Sequence, residues 1–236
     1  MKLTWLGQAG WLICTYSGMR IMIDPYLSDS LREKNGDAYS RNIEIRPDFL
    51  SLQLDAVVIT HSHGDHFDHQ TLQKLFAAQK KPITVFGPQS VWEQLRKDNR
   101  WHNELVLFQE GTEYALGDVL LRAVFAAHSD PFSIGIIIEA DGKKIYHSGD
   151  TLYHKKLIND ATLNPHVLLL SINGKGNNMN VADGARLAQV LNPRILVPMH
   201  WDMFDKMGCD PTPIIDFLSQ SGVQVNILQA YEDLTI

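Results

Sequence analysis

Residues 60–69 read Thr60-His61-Ser62-His63-Gly64-Asp65-His66-Phe67-Asp68-His69. The run before them, Asp55-Ala56-Val57-Val58-Ile59-Thr60, is short and apolar, the pattern of a buried strand. Side chains two apart on an extended segment project to the same side, so His61 and His63 can grip one ion. A turn at Gly64 then lets Asp65 and His66 swing towards a neighbouring ion. Imidazole nitrogens suit borderline metals such as zinc, and a carboxylate adds hard oxygen character. The bland alternative is a polar loop that opens a helix, capped by Asp65 or Asp68 and carrying solvated histidines. That alternative does not account for so many metal-ligand residue types at a strand end.

The rest of the chain is organised around this stretch. A helical pattern runs from Asp68 to Ala78, with Leu72, Leu75 and Phe76 on one face and His69 as a surface residue or a hydrogen-bond partner of the ligands. Upstream, residues 5–13 and 20–24 flank Ser17-Gly18 and read as a hairpin, because Gly18 can take positive φ. Residues 28–48 are polar with little periodicity and read as a long loop. Downstream, 83–87 is a strand, 88–97 a helix with proline at its start, and 105–138 a set of short strands with turns at Gly111 and Gly117. Then follow a strand at 145–147, a buried strand at 167–171, a helix at 181–190, a strand at 195–198, a helix at 211–220 and a strand at 223–228. Two mixed sheets with helices on their outer faces would bury these patterns, an α/β (α+β) architecture. There is no linker rich in proline, glycine or serine, so residues 1–236 read as one domain.

Three further ligand-type residues occupy the same kind of position as the cluster. His128 follows Val124-Phe125-Ala126-Ala127, Asp150 follows Tyr146-His147-Ser148-Gly149, and His200 follows Leu196-Val197-Pro198-Met199. One histidine after a strand is usually structural. Three such residues beside a dense cluster point to a shared site.

The bulk properties narrow the class. The chain is 44% hydrophobic and 20% charged, ordinary values for a folded protein with a buried core. A formal net charge of −6 gives no electrostatic reason to seek nucleic acid. Cys14 and Cys209 are too few for a disulfide framework, which fits a reducing, cytoplasmic setting. No apolar run approaches the ~20 residues a membrane helix needs. The first residues run straight into an alternating pattern, without the apolar stretch of a signal peptide.

The order His61-Ser62-His63-Gly64-Asp65-His66, then His128, then Ser148-Gly149-Asp150-Thr151, then His200 resembles the metallo-β-lactamase superfamily along nearly the whole chain. The resemblance implies a four-layer αββα sandwich with the site at one edge, between the sheets. It implies two divalent metal ions, zinc or manganese with iron also open. His61, His63 and His128 then hold the first ion, Asp65, His66 and His200 the second, and Asp150 bridges them. It further implies hydrolysis by a two-metal-activated water, with Asp65, His66 and Asp150 as the catalytic group; from the chemistry, Asp65 is then expected to act with the second ion on the leaving group. Residues 86–91, 145–150 and 197–203 are similar to segments of the branch that contains L-ascorbate-6-phosphate lactonase. That branch implies a small anionic lactone or ester as substrate, although this chain starts at the first strand and its loops look shorter.

For substrate contacts, the polar loop Asn173-Gly174-Lys175-Gly176-Asn177-Asn178 offers Asn173 and Lys175, and His154 follows the Asp150 loop. Arg41 and Arg46 in the early loop are weaker candidates. A phosphodiesterase or nuclease on the same scaffold is the rival activity, and a metal-binding protein without catalysis is the rival class. The partner expected is a small molecule, with no nucleic acid and no membrane, and a homo-oligomer is compatible with the sequence.

Overall fold

The computed structural model describes all 236 residues. Six strands come first: β1 (Lys2–Gly7), β2 (Gly10–Cys14), β3 (Arg20–Ile23), β4 (Ala56–Val58), β5 (Thr84–Gly87) and β6 (Glu104–Leu107). Seven more follow: β7 (Glu113–Leu116), β8 (Val119–Phe125), β9 (Ile134–Ala140), β10 (Lys143–His147), β11 (Val167–Ser171), β12 (Ile195–Met199) and β13 (Gln224–Val225). The last, β14 (Asp233–Thr235), returns to pair with β1. The two resulting seven-stranded sheets have the orders β14-β1-β2-β3-β4-β5-β6 and β13-β12-β11-β10-β9-β8-β7. Five helices are attached: α1 (Ser30–Asn35), α2 (His69–Ala78), α3 (Gln89–Leu95), α4 (Val181–Leu191) and α5 (Pro213–Leu218).

Period-two alternation sets the layers. Ala56 and Val58 of β4 face the space between the sheets, where they join Trp5, Ile13, Ile136, Ile145, Leu169 and Val197. Val57 faces outward and packs with Leu72, Leu75 and Phe76 of α2 and Val91 of α3. In the second sheet Val167 and Leu169 turn inward, whereas Leu168 and Leu170 turn outward against Leu187 and Leu191 of α4 and Ile214 and Leu218 of α5. The layers are therefore helix, sheet, sheet, helix, as the resemblance implies. Each fully buried Leu, Ile or Val stabilises this stack by about 1.5–3 kcal/mol.

Three local readings change. The stretch 5–13 is not one strand: Gly7 and Gln8 take positive φ (86° and 51°) and turn the chain between β1 and β2. The polar stretch 28–48 contains α1, whose Leu31 packs close to Gly64 of the histidine loop. The closing strand shrinks to Gln224–Val225, because the ladder to β12 is only two residues long, and β14 appears beyond it.

Candidate metal centre

The parallel strands β3, β4, β10, β11 and β12 all end at one edge of the sandwich, and their C-terminal ends carry the chemistry. The histidine loop leaves β4, and Asp68 then caps α2 by accepting from the Gln70 N–H. His128 leaves β8, Asp150 leaves β10 and His200 leaves β12. Gly149 makes the turn that presents Asp150. Its φ is +59°, and a Cβ there would lie 2.5 Å from the Ile134 carbonyl oxygen, so only glycine fits.

The seven residues expected to converge do so. His61 Nε2 lies 3.0 Å from His63 Nδ1, and His128 Nε2 lies 3.1 Å from the same Nδ1. A second group faces these three. His200 Nε2 is 3.3 Å from Asp65 Oδ2 and 3.4 Å from His66 Nε2, and His66 Nε2 is 3.7 Å from Asp65 Oδ2. Asp150 Oδ2 borders both groups: it is 3.2 Å from His200 Nε2, 3.4 Å from His66 Nε2 and 3.9 Å from His128 Nε2.

These donors fit divalent cations on two counts. Bonds of about 2.0–2.2 Å place tetrahedral donors about 3.3–3.6 Å apart, close to the separations seen. Second, each of five imidazoles turns one nitrogen inward, and four of them engage the other. His61 Nδ1 faces Thr60 Oγ1 at 3.0 Å, and His66 Nδ1 faces Asp24 Oδ2 at 2.7 Å. His128 Nδ1 faces the Asn177 carbonyl at 3.2 Å, and His63 Nε2 faces Ser129 Oγ at 3.4 Å. Outer hydrogen bonds of this kind fix the tautomer and aim the free lone pair. Only His200 Nδ1 is buried without a partner.

Charge points the same way. Asp24 and Asp150 are buried and Asp65 is largely covered, and the only ion-pair partners of all three are histidines. Burial opposes charge on His66 and His200, but the carboxylates outweigh it. Asp150, Asp65 and Asp24 hold His66 well above the usual histidine range, and Asp150 and Asp65 push His200 up to about 9. Burial lowers His61 and His128, with neighbouring imidazoles adding to the effect. Burial alone would raise Asp65 and Asp150; His66 and His200 instead hold both carboxyls far below the usual range. Excess negative charge without lysine or arginine is the setting in which a bound cation is stabilised.

The substrate candidates sit differently. Lys175 Nζ donates to the carbonyls of Lys206 and Gly208, each at 2.9 Å, and the buried Asn173 donates to the Met207 carbonyl at 3.1 Å. Both therefore tie their loop to the segment after His200. His154 accepts from the Lys156 N–H at 3.1 Å and packs on Phe125. Arg41 donates to the carbonyls of Tyr26, Ser28 and Ile43, and Arg46 pairs with Asp48. The 173–178 loop reaches the cluster through another residue, Asn178, which donates to Asp150 Oδ2 at 2.8 Å.

Among the residues that touch or brace the cluster, Gln8, Asp24, Asp130 and Asn178 escaped the sequence reading. Asp24 accepts from the Thr60 N–H as well as facing His66, and its one signal is an acidic residue closing the apolar strand β3 before Pro25. Asp130 accepts from Ser62 N–H, Ser62 Oγ and Ser90 Oγ, and from Phe132 N–H. His147 is not part of the cluster. Its Nε2 faces the Ala9 carbonyl and its Nδ1 accepts from Gly149 N–H, so it fixes the turn before Asp150.

A profile of the β-lactamase superfamily domain matches residues 19–201, a span that holds Asp24 and all seven converging donors. This chain is a member of the metallo-β-lactamase superfamily. A UPF0173 metal-dependent hydrolase of Carboxydothermus hydrogenoformans is 26% identical over 244 residues, covering 98% of each chain. A UPF0173 protein of Pyrococcus furiosus is 28% identical over 239 residues, covering the whole of both. The solved structure of Igni18, a metallo hydrolase from Ignicoccus hospitalis, superposes with a TM-score of 0.75 at 24% identity, covering 99% of this chain and 97% of that one. That likeness is one of fold: the metallo-β-lactamase αββα sandwich.

Proposed function

We propose that this superfamily member is a metal-dependent hydrolase that works with two divalent cations, one per donor group, on a small anionic lactone or ester. The observation that carries the reading is the place of Asp150 Oδ2, within 3.2–3.9 Å of a histidine from either group. When bound, such ions lower the pKa of water towards neutrality and polarise the oxygen that becomes negative.

The chain's own residues do the remaining work. Asp24 accepts the Nδ1 proton of His66 and so keeps Nε2 free to donate its lone pair. His61 and His66 are fully buried, whereas His63 and Asp65 are partly exposed and mark the open side where substrate enters. Asp65 stands there as the carboxylate nearest a departing oxygen. Nitrogen and oxygen donors of this kind suit zinc or manganese, with iron also accommodated. The lactone class is supported by the likeness of residues 86–91, 145–150 and 197–203 to the lactonase branch. The relatives' description as metal-dependent hydrolases agrees with hydrolysis. A small-molecule partner fits the net charge of −6, and no helix is long and apolar enough to cross a membrane.

The test combines metal analysis with turnover of plain and phosphorylated lactones and a generic phosphodiester. The wild-type protein is expected to hold two ions per chain and open lactones, and Asp150→Ala to lose both properties. An Asp150→Ala protein that keeps two ions and full activity rules out the bridging role. Turnover of the phosphodiester alone moves the protein to that substrate class.

A further inference from the structure

Gln8 occupies a place that ordinary turn chemistry does not explain. It lies in the turn between β1 and β2 with φ of 51°, a left-handed conformation in which glycine or asparagine is the unstrained choice. It is 1% exposed. Its carbonyl accepts from the indole N–H of Trp5 and from the backbone N–H of His200, both at 3.0 Å. His200 is itself left-handed, with φ of 66°. Two strained residues, one from each sheet, are thus clasped at the metal centre, and strain of this kind persists where the surroundings over-determine it and tends to serve a site.

The side chain accounts for the choice of glutamine. Gln8 Nε2 reaches within 2.6 Å of Asp65 Oδ2 and 3.0 Å of His200 Nε2. The shorter contact is an amide N–H donated to a carboxylate, the stronger kind of hydrogen bond. The side-chain hydrogen bonds of Gln8 both fall on the carboxylate-bearing group, at Asp65 and His200, and none runs to His61, His63 or His128. The imidazole of His200 cannot offer one lone pair to a cation and to Gln8 together, so with an ion present the amide serves Asp65. Gln8 also lies before residue 19, outside the span that the superfamily profile covers.

We infer that Gln8 is a positioning residue: it holds the Asp65 carboxylate in its ligand position and thereby sets how tightly the Asp65, His66 and His200 side binds its ion. This rests on the two-ion reading above. The experiment titrates the metal-free protein with Co²⁺ and follows the visible absorption of the two binding steps. Gln8→Leu is expected to weaken the step at the carboxylate side by about 10–100-fold, the usual cost of losing an outer hydrogen bond to a ligand, and to leave the all-histidine step unchanged. Gln8→Asn keeps a carboxamide and tolerates the left-handed backbone, but falls one methylene short of Asp65. The same selective loss is expected from it even if the leucine variant does not fold. Wild-type affinity in both steps of Gln8→Asn, or equal weakening of both, overturns the inference. A wild-type protein that binds only one Co²⁺ overturns the two-ion reading instead.

Discussion

The two halves of the centre are built from the same imidazole chemistry but differ in charge. The His61, His63 and His128 half contains no carboxylate of its own, and burial keeps His61 and His128 towards the neutral form. The Asp65, His66 and His200 half is surrounded by Asp24, Asp65 and Asp150, which draw protons onto His66 and His200. Each half is also braced by a different buried carboxylate. Asp24 faces Nδ1 of His66, and Asp130 clamps Ser62, which stands between His61 and His63. On the two-ion reading proposed above, this asymmetry lets affinity in the two halves be set independently, one half by aiming neutral nitrogens and the other by balancing charge.

The largest expected separation comes from Asp24→Ala. It removes the acceptor of His66 Nδ1, frees that ring to rotate or change tautomer, and leaves the buried Thr60 N–H without its partner. Affinity of the carboxylate half should drop by about 10–100-fold. A stability loss of about 1–3 kcal/mol should accompany it, from the orphaned donor. The other half feels the change through Thr60 Oγ1, which donates to Asp24 Oδ2 and faces His61 Nδ1. Stepwise metal titration and thermal unfolding of the metal-free variant measure both effects. Equal weakening of the two halves would show that Asp24 does not act on one of them selectively.

Asp130→Ala should act in the opposite sense and less strongly. Its carboxylate links the histidine loop at Ser62, the first turn of α3 at Ser90, and the loop that carries His128. Without it, the distance between His63 and His128 is no longer fixed from behind. The all-histidine step should weaken by about tenfold while the carboxylate half keeps its affinity. Retention of the all-histidine step, with the other one lost, would show that the braces are assigned to the wrong halves.

Much of this centre was legible in the sequence because its donors obey local rules. Four of them share one loop, and His128, Asp150 and His200 each follow a strand that ends at the same edge of the sandwich. The layers were legible for a related reason: the unbroken apolar runs in 56–58 and 167–170 mark strands buried on both faces. The braces were not legible. Asp24 and Asp130 act across 42 and 68 residues of chain on His66 and Ser62, and nothing in their neighbours announces those partners. Gln8 was hidden because residues 5–13 alternate well enough to pass for one strand, so the turn that aims it was missed. Lys175 and Asn173 erred in the other direction. Their loop composition suggested free donors, but composition carries no record of the carbonyls of residues 206–208 that take them up.

The smallest effect, and the sharpest probe of the charge difference, is the proton count of metal binding. In the metal-free protein at pH 7.5, His200, raised to about 9, is protonated, and His66, held well above the ordinary value, is protonated with it. An ion entering that half takes their lone pairs and must displace those protons, about two in all. His61 and His128 are lowered and already neutral at this pH, so they release none on binding. The sign of the stability linkage agrees. For a raised histidine the ion pairs contribute fully below the unfolded value of about 6.5, and the contribution is lost as pH climbs through the folded one. Calorimetric titration in two buffers of different ionisation heat separates the steps. Release should be larger for the carboxylate half at pH 7.5 and shrink above pH 9, where His200 has already given up its proton. Equal proton release from the two halves would mean that the carboxylates do not divide the centre as their distances indicate.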